Sequence, residues 1–154
     1  MRFGMPKASD AMRALLDVNV LVALLDATHL HHATATRWLA AHVKSGWASC
    51  PLTQNGCLRI MSVGSYPNAQ PTSVVADRLA LAMGGPAHAF WPDSVSLLQP
   101  GVLRWDRVLT SRQVTDTYLL ALAAANAGRL VTFDRGISVN AVPSASKSNL
   151  VTLG

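Results

Sequence analysis

Arg13-Ala14-Leu15-Leu16-Asp17-Val18-Asn19-Val20-Leu21-Val22-Ala23-Leu24-Leu25 is the stretch on which the reading of this chain turns. By hydrophobicity alone it is one apolar run, and periodicity does not separate a short buried strand from a buried helix. Asp17 and Asn19 break the tie. Both are helix-start residue types, because their side-chain oxygens accept N–H groups that a first helical turn leaves unpaired. The stretch therefore reads as a strand over 13–16 and a short helix over 19–25, with Asp17 at the junction.

The rest of the chain extends that alternation. Residues 32–43 predict a helix with Ala35, Trp38, Leu39 and His42 on one face, ended by Gly46. Residues 47–50 read as a second strand. Pro51 opens the next helix, which runs through Leu58 and Met61, since proline tolerates the first turn, where its missing N–H has no partner. A loop over 66–71 leads to a helix over 73–83, stopped by Gly84-Gly85-Pro86, and then a strand over 87–91. After a less regular stretch, residues 116–126 form the clearest helix, with Leu119, Leu120, Ala123, Ala124 and Ala127 on one face and Gly128 as its cap. Residues 129–133 and 150–153 are the last strands. Strands alternating with helices indicate the α/β class, a parallel sheet covered on both sides. There is no internal repeat.

The bulk properties bound this picture. The chain has 154 residues, half of them hydrophobic, which suits one domain with a real core. Residues 1–11 carry no periodicity and read as a flexible lead or an upstream start, with Met12 a second candidate start. The domain proper is then 12–154. No apolar run approaches the ~20 residues of a membrane span, and residues 1–11 lack the apolar middle of a signal peptide, so a cytoplasmic protein with no membrane partner is expected. Cys50 and Cys57 lack metal-type spacing and read as buried thiols. The net charge is +5 and the basic residues are ten Arg against three Lys. Arginine's planar fork matches phosphate, and a basic surface attracts polyanions, although solubility alone also accounts for such a charge.

The acidic residues are eight aspartates and no glutamate. Sites in open parallel sheets form beyond the carboxyl ends of strands. Asp17 and Asp134 each follow a predicted strand, and Asp116 starts the long helix, so all three fall at that edge. Singly, Asp17 and Asp116 are as well explained as helix caps. Together, three carboxylates at one edge call for a hard divalent cation such as Mg²⁺, with Mn²⁺ as a substitute. Such an ion would stabilise a phosphodiester's developing charge and activate water. Arg112 and Arg135 are candidates to hold substrate phosphates, and each alone reads as ordinary surface charge. Asp93, following the 87–91 strand, is a further candidate, with a turn or cap role favoured. His29, His31 and His32 lack a second ligand cluster and read as packing and helix-start residues. Trp38, Trp47, Trp91 and Trp105 are scattered and read as core or interface residues rather than base-stacking platforms.

In order and spacing these segments resemble a known family. Leu15-Leu16-Asp17-Val18-Asn19-Val20-Leu21 resembles the opening motif of PIN domains. Thr115-Asp116-Thr117-Tyr118-Leu119 resembles the third motif, and Ala127-Gly128-Arg129-Leu130-Val131-Thr132-Phe133-Asp134-Arg135-Gly136 the last. His29 and His32 before Trp38-Leu39 resemble the second helix of VapC-type toxins. The resemblance implies a PIN-like three-layer α/β/α fold with a central, mostly parallel sheet of about five strands. It implies Mg²⁺-dependent endonucleolytic cleavage of RNA and a cognate VapB-like antitoxin that covers the site. A homodimer and a toxin–antitoxin hetero-oligomer are implied too, with the helices at 32–43 and 73–83 offering an apolar face. Asp17 and Asp116 match the principal metal ligands, Asp134 matches an acid that acts through water, and Asn19 and Thr132 match supporting positions. One departure stands out: Thr53-Gln54-Asn55-Gly56 lies where many PIN domains carry a glutamate. Less negative charge there favours one metal ion over two, and Asn55 is left as a neutral oxygen donor or a surface amide. Asp17-Val18-Asn19-Val20-Leu21 also resembles the opening motif of haloacid-dehalogenase-like phosphatases, but Asn19 stands where their general acid belongs. A non-catalytic RNA-binding module lacking the second-helix acid is the remaining alternative.

Overall fold

The computed structural model describes residues 12–154; the lead assigned to residues 1–11 lies outside the described residues. Five short strands, β1 (Ala14–Leu16), β2 (Trp47–Ser49), β3 (His88–Phe90), β4 (Arg129–Thr132) and β5 (Leu150–Thr152), form one sheet in the order β3-β2-β1-β4-β5. Every pairing is parallel. The helices are α1 (Val18–Leu25), α2 (His32–His42), α3 (Pro51–Ser62), α4 (Thr72–Met83) and α5 (Gln113–Ala125).

β1 explains the layering. Alternate side chains of a strand point to opposite faces, and all three residues of β1 are buried. Ala14 and Leu16 enter a core with Val20 and Leu21 of α1, Cys57 and Met61 of α3, and Val75 and Leu79 of α4. Leu15 enters a second core with Leu119, Leu120 and Leu122 of α5, joined by Trp91, Leu103 and Val142. The sheet is therefore covered on both faces, and the α/β/α expectation holds. Cys50 and Cys57 are buried free thiols. No helix among the described residues is long and apolar enough to cross a membrane.

Two helix ends differ from the sequence reading. α5 begins at Gln113, so Asp116 lies within its first turn and is not the cap. The side chain of Gln113 reaches back instead, its Oε1 accepting the N–H groups of Leu109 at 2.7 Å and Thr110 at 2.9 Å. At the other end the left-handed residue is Ala127, with φ 53°, rather than Gly128. The Ala127 N–H bonds the Ala124 carbonyl and the Gly128 N–H bonds that of Ala123, the paired pattern that closes a helix C-terminus. Gly128 is needed for space: a Cβ there would lie 2.5 Å from the Trp91 ring and 2.6 Å from the Arg13 carbonyl oxygen.

The topology has one switch point. From β1 the chain moves to β2 and β3 on one side, then crosses to β4 and β5 on the other. The crevice at the carboxyl ends of β1 and β4 is where open parallel sheets bind ligands.

Candidate active site

Asp17 leaves β1 as the N-cap of α1, and its carboxylate accepts the Val18 N–H at 2.7 Å. The capping role and a place at the switch point coincide in this one residue. Thr132, the last residue of β4, donates its hydroxyl to Asp17 Oδ2 at 2.8 Å. Thr132 Oγ1 in turn accepts from Asn19 Nδ2 at 3.3 Å and from the Asp134 N–H at 3.0 Å. One donor and two acceptor sites are all a hydroxyl has, so Thr132 joins α1, β4 and the turn after it. Asn19 closes the link by accepting the Phe133 N–H at 3.2 Å. Asp134 accepts the Gly136 N–H at 2.7 Å, which holds the turn in shape.

α5 brings Asp116 to this crevice. Asp17, Asp116 and Asp134 line one cleft of about 350 Å³, together with Val18, Asn19, Val22, His29, Ile60 and Tyr66. Asp116 and Asp134 also border a larger groove of about 950 Å³, lined by Arg59, Ile60, Thr110, Arg112, Gln113 and Gly136. The carboxylates thus stand between a recess with apolar walls and a groove flanked by two arginines.

The electrostatics reflect that crowding. Burial raises the Asp116 carboxyl from an ordinary 3.8 to about 6, helped by the charges of Asp17 and Asp134 and by hydrogen bonding to Asp134; Arg112 opposes the rise. Burial also raises Asp17, and the charge of Asp134 adds to it, while the bonds from Thr132 and Val18 pull the other way. Among the described residues no group of three His, Cys, Asp or Glu side chains could by itself hold a metal ion. The side chains that could hold a cation are a pair of carboxylates, Asp17 and Asp116, with Asp134 beside them rather than a closed cage. A hard divalent cation that keeps several waters and takes one or two carboxylates fits such a set. A cation there would relieve the repulsion that, together with burial, raises the Asp116 carboxyl.

Other sequence candidates lie elsewhere. Asn55 is exposed on α3 and lines neither recess. Asp93 is an exposed residue beyond the edge strand β3, where its charge acts on Cys50 and Tyr118 and not on the three acids. Both fall away from the crevice because β3 and the outer face of α3 point elsewhere. Arg135 runs beside the terminal Gly154 and is absent from the groove wall, whereas Arg112 is part of it. His32 Nδ1 contacts the Ala23 carbonyl at 2.8 Å, in keeping with a packing role. Sequence reasoning missed Arg59, Ile60 and Tyr66. The signal for the first two was Gly56: a Cβ at that position would lie 2.7 Å from a Val18 methyl. The missing side chain lets α3 press against α1, and it carries Ile60, one turn further, to the cleft wall.

The model of the PIN domain family matches residues 14–142. The chain belongs to the PIN domain family. This PIN domain is 49% identical over 142 residues to Ribonuclease VapC44 of Mycobacterium tuberculosis, an alignment covering 92% of this chain and all of that one. To Ribonuclease VapC39 of the same species it is 45% identical over 131 residues, covering 84% and 94%. It also resembles a chain in the crystal structure of VapBC2 from Rickettsia felis bound to a DNA fragment from their promoter. There the TM-score is 0.63 at 14% identity, over 93% of this PIN domain and 100% of that chain. That likeness bears on the fold. Membership of this family removes the phosphatase alternative, and the Asn19 amide, committed to Phe133 and Thr132, is no general acid.

Proposed function

We propose that this PIN domain is an endoribonuclease toxin of the VapBC kind, which hydrolyses RNA phosphodiester bonds with a divalent cation, Mg²⁺ or Mn²⁺, held by Asp17 and Asp116. The observation that carries the reading is the convergence of Asp17, Asp116 and Asp134 on one cleft at the switch point, where burial and the neighbouring acids raise the Asp116 carboxyl. Perturbed carboxyls gathered in a cleft are a mark of catalytic sites, and the relatives' names specify ribonucleases.

A divalent cation in this position supplies charge stabilisation for the phosphodiester and lowers the pKa of an attacking water. The chain's own residues prepare for it. Thr132 fixes one Asp17 oxygen, and the Val18 N–H holds the other. Asn19 keeps β4's end in register with α1. Asp116, once ionised, offers its oxygens from a helix whose first turn is braced by Gln113. Asp134, exposed at the mouth, is placed to accept a proton from water or to orient it. Arg112 lies in the groove beside Asp116 and suits the substrate's phosphates. Arg135 lies outside that groove wall, beside Gly154.

A VapB-like antitoxin is the partner this reading brings, covering the crevice in a hetero-oligomer, with a homodimer of the toxin as its core. Leu81 on α4 is 84% exposed and belongs to the apolar surface available for such contacts. The test is cleavage of RNA with Mg²⁺ or Mn²⁺, its abolition by chelator, and its loss in Asp17→Asn and Asp116→Asn. Undiminished cleavage by those variants would overturn the mechanism. Rescue of growth by a small DNA-binding partner encoded directly upstream tests the toxin half separately.

A further inference from the structure

We infer that the recess beside the acids is a nucleobase pocket, in which Tyr66 is the stacking ring and His29 the polar contact, so that one base next to the scissile phosphate is recognised. This rests on the ribonuclease reading for its biological meaning but not for its chemistry. The recess of about 350 Å³ begins at Asp17 and Asp116 and continues over Val18, Val22 and Ile60 to Tyr66 and His29. It falls at the small end of ligand pockets, roughly 300–1,000 Å³. Its far wall is apolar and aromatic, the surface a flat heterocycle favours and a phosphate does not. The groove on the other side of the acids carries the arginines instead. An RNA strand crossing the acids therefore meets a base-like surface on one side and a backbone-like surface on the other.

Three features prepare the pocket. Tyr66 donates its hydroxyl to Asp26, a carboxylate buried at the C-cap of α1. The same carboxylate accepts from Thr28 and from Asn68 Nδ2, so the 66–68 segment is tied to Asp26 at two points, the Tyr66 hydroxyl and the Asn68 amide. A ring held before binding costs less entropy on binding. Second, His29 Nδ1 accepts the His31 N–H at 3.0 Å, which places the proton of the neutral imidazole on Nε2, a donor suited to a base carbonyl or ring nitrogen. Third, Gly56 admits α3 against Val18, so Ile60 forms the wall where a bulkier residue at 56 would hold the helix away.

The experiment is an NMR titration of the full chain, without divalent cation, with the four ribonucleoside 5′-monophosphates and with ribose 5-phosphate. At least one nucleotide is expected to shift the ring resonances of Tyr66 and His29 saturably, with affinity at least about fivefold above ribose 5-phosphate, the lower end of what one stacked base contributes. Tyr66→Ala should erase that margin. Tyr66→Phe should keep part of it, because the ring still stacks but has lost the anchor that holds it. Equal binding of all five compounds, or a base preference that survives Tyr66→Ala, overturns the pocket. If the alanine variant fails to fold, wild-type shifts confined to residues away from Tyr66 and His29 overturn it equally. RNA cleavage is scored apart: cutting without base preference removes the pocket alone, and base binding without any cutting removes the ribonuclease reading alone.

Discussion

The two ends of α1 each carry a buried aspartate, and the two behave in opposite ways. Asp17 is 7% exposed and Asp26 3%, so both are shielded from solvent, although Asp17 is the more deeply set of the two. Desolvation pushes both carboxyls up. At Asp26 it is outweighed by hydrogen bonds from Tyr66, from the Thr28 side chain and backbone, and from Asn68, which hold the group well below the usual carboxylate range. At Asp17 deeper burial outweighs the two donated bonds, and Asp134 adds repulsion, so the group stays raised. A carboxylate whose oxygens are filled by donors is a joint in the fold. One left short of donors among other acids is poised to take a cation.

The largest expected effect lies at the acid-rich end. Asp17→Asn and Asp116→Asn should each lower RNA cleavage at saturating metal by at least about a hundredfold, the scale on which loss of one electrostatic stabiliser is felt. Asp116→Asn should at the same time raise the urea midpoint of the metal-free protein, because it removes a repelling charge. A drop in stability alongside the drop in activity would make Asp116 a structural residue like Asp26 and erase the contrast.

Asp26→Asn should do the reverse. An amide there turns N–H groups toward donors that need an acceptor, and hydrogen bonds to a charged group are worth about 1.5–3 kcal/mol each. We expect about 2 kcal/mol of destabilisation by urea unfolding, with a fall in cleavage rate far smaller than at Asp17. Equal loss of activity in both would mean that α1 has one functional unit and not two.

Gly56→Ala sharpens the question of why the site holds three acids and no fourth. Its Cβ would lie 2.7 Å from Val18, and overpacking of this kind costs about 1–3 kcal/mol. Val18→Ala should restore most of that loss in the double variant. If Gly56→Ala is neutral alone, the close approach of α3 to α1 does not depend on glycine.

Much of this was legible beforehand. The strand–helix junction at Asp17, the alternation and the five strands follow from short-range patterning, and the three acids stood out because the chain has no glutamate. What was not legible depends on contacts far apart in sequence. Asp26 gave no local sign of its tie to Tyr66 and Asn68, some 40 residues on. Asp93 sits after a strand as Asp17 does, but its strand is at the sheet's edge, and strand order is not written in local pattern. Gly128 follows a helix and invites the capping reading, yet the left-handed position falls on Ala127, and the glycine at 128 answers to the space that Trp91 and Arg13 claim.

The smallest effect is the most diagnostic, because the two carboxylates should pull stability in opposite directions with pH. A folded-state pKa raised from 3.8 to about 6 means that native Asp116 binds a proton more tightly than the unfolded chain does. Between those values stability falls as pH rises, and above them the penalty is complete. Asp26, held low, contributes stability above its ordinary pKa and loses it as pH falls below that range. In urea titrations without metal, the advantage of Asp116→Asn over the parent should therefore be larger near about pH 8 than near about pH 4. The deficit of Asp26→Asn should shrink only on acidification below about pH 4. The Asp116 effect will be modest because that side chain is partly solvated and its repulsion is screened. Added Mg²⁺ should remove it, since the cation neutralises the charges that the substitution relieves. An Asp116→Asn advantage independent of both pH and Mg²⁺ would show that packing, and not repulsion among the acids, separates the two ends of the helix.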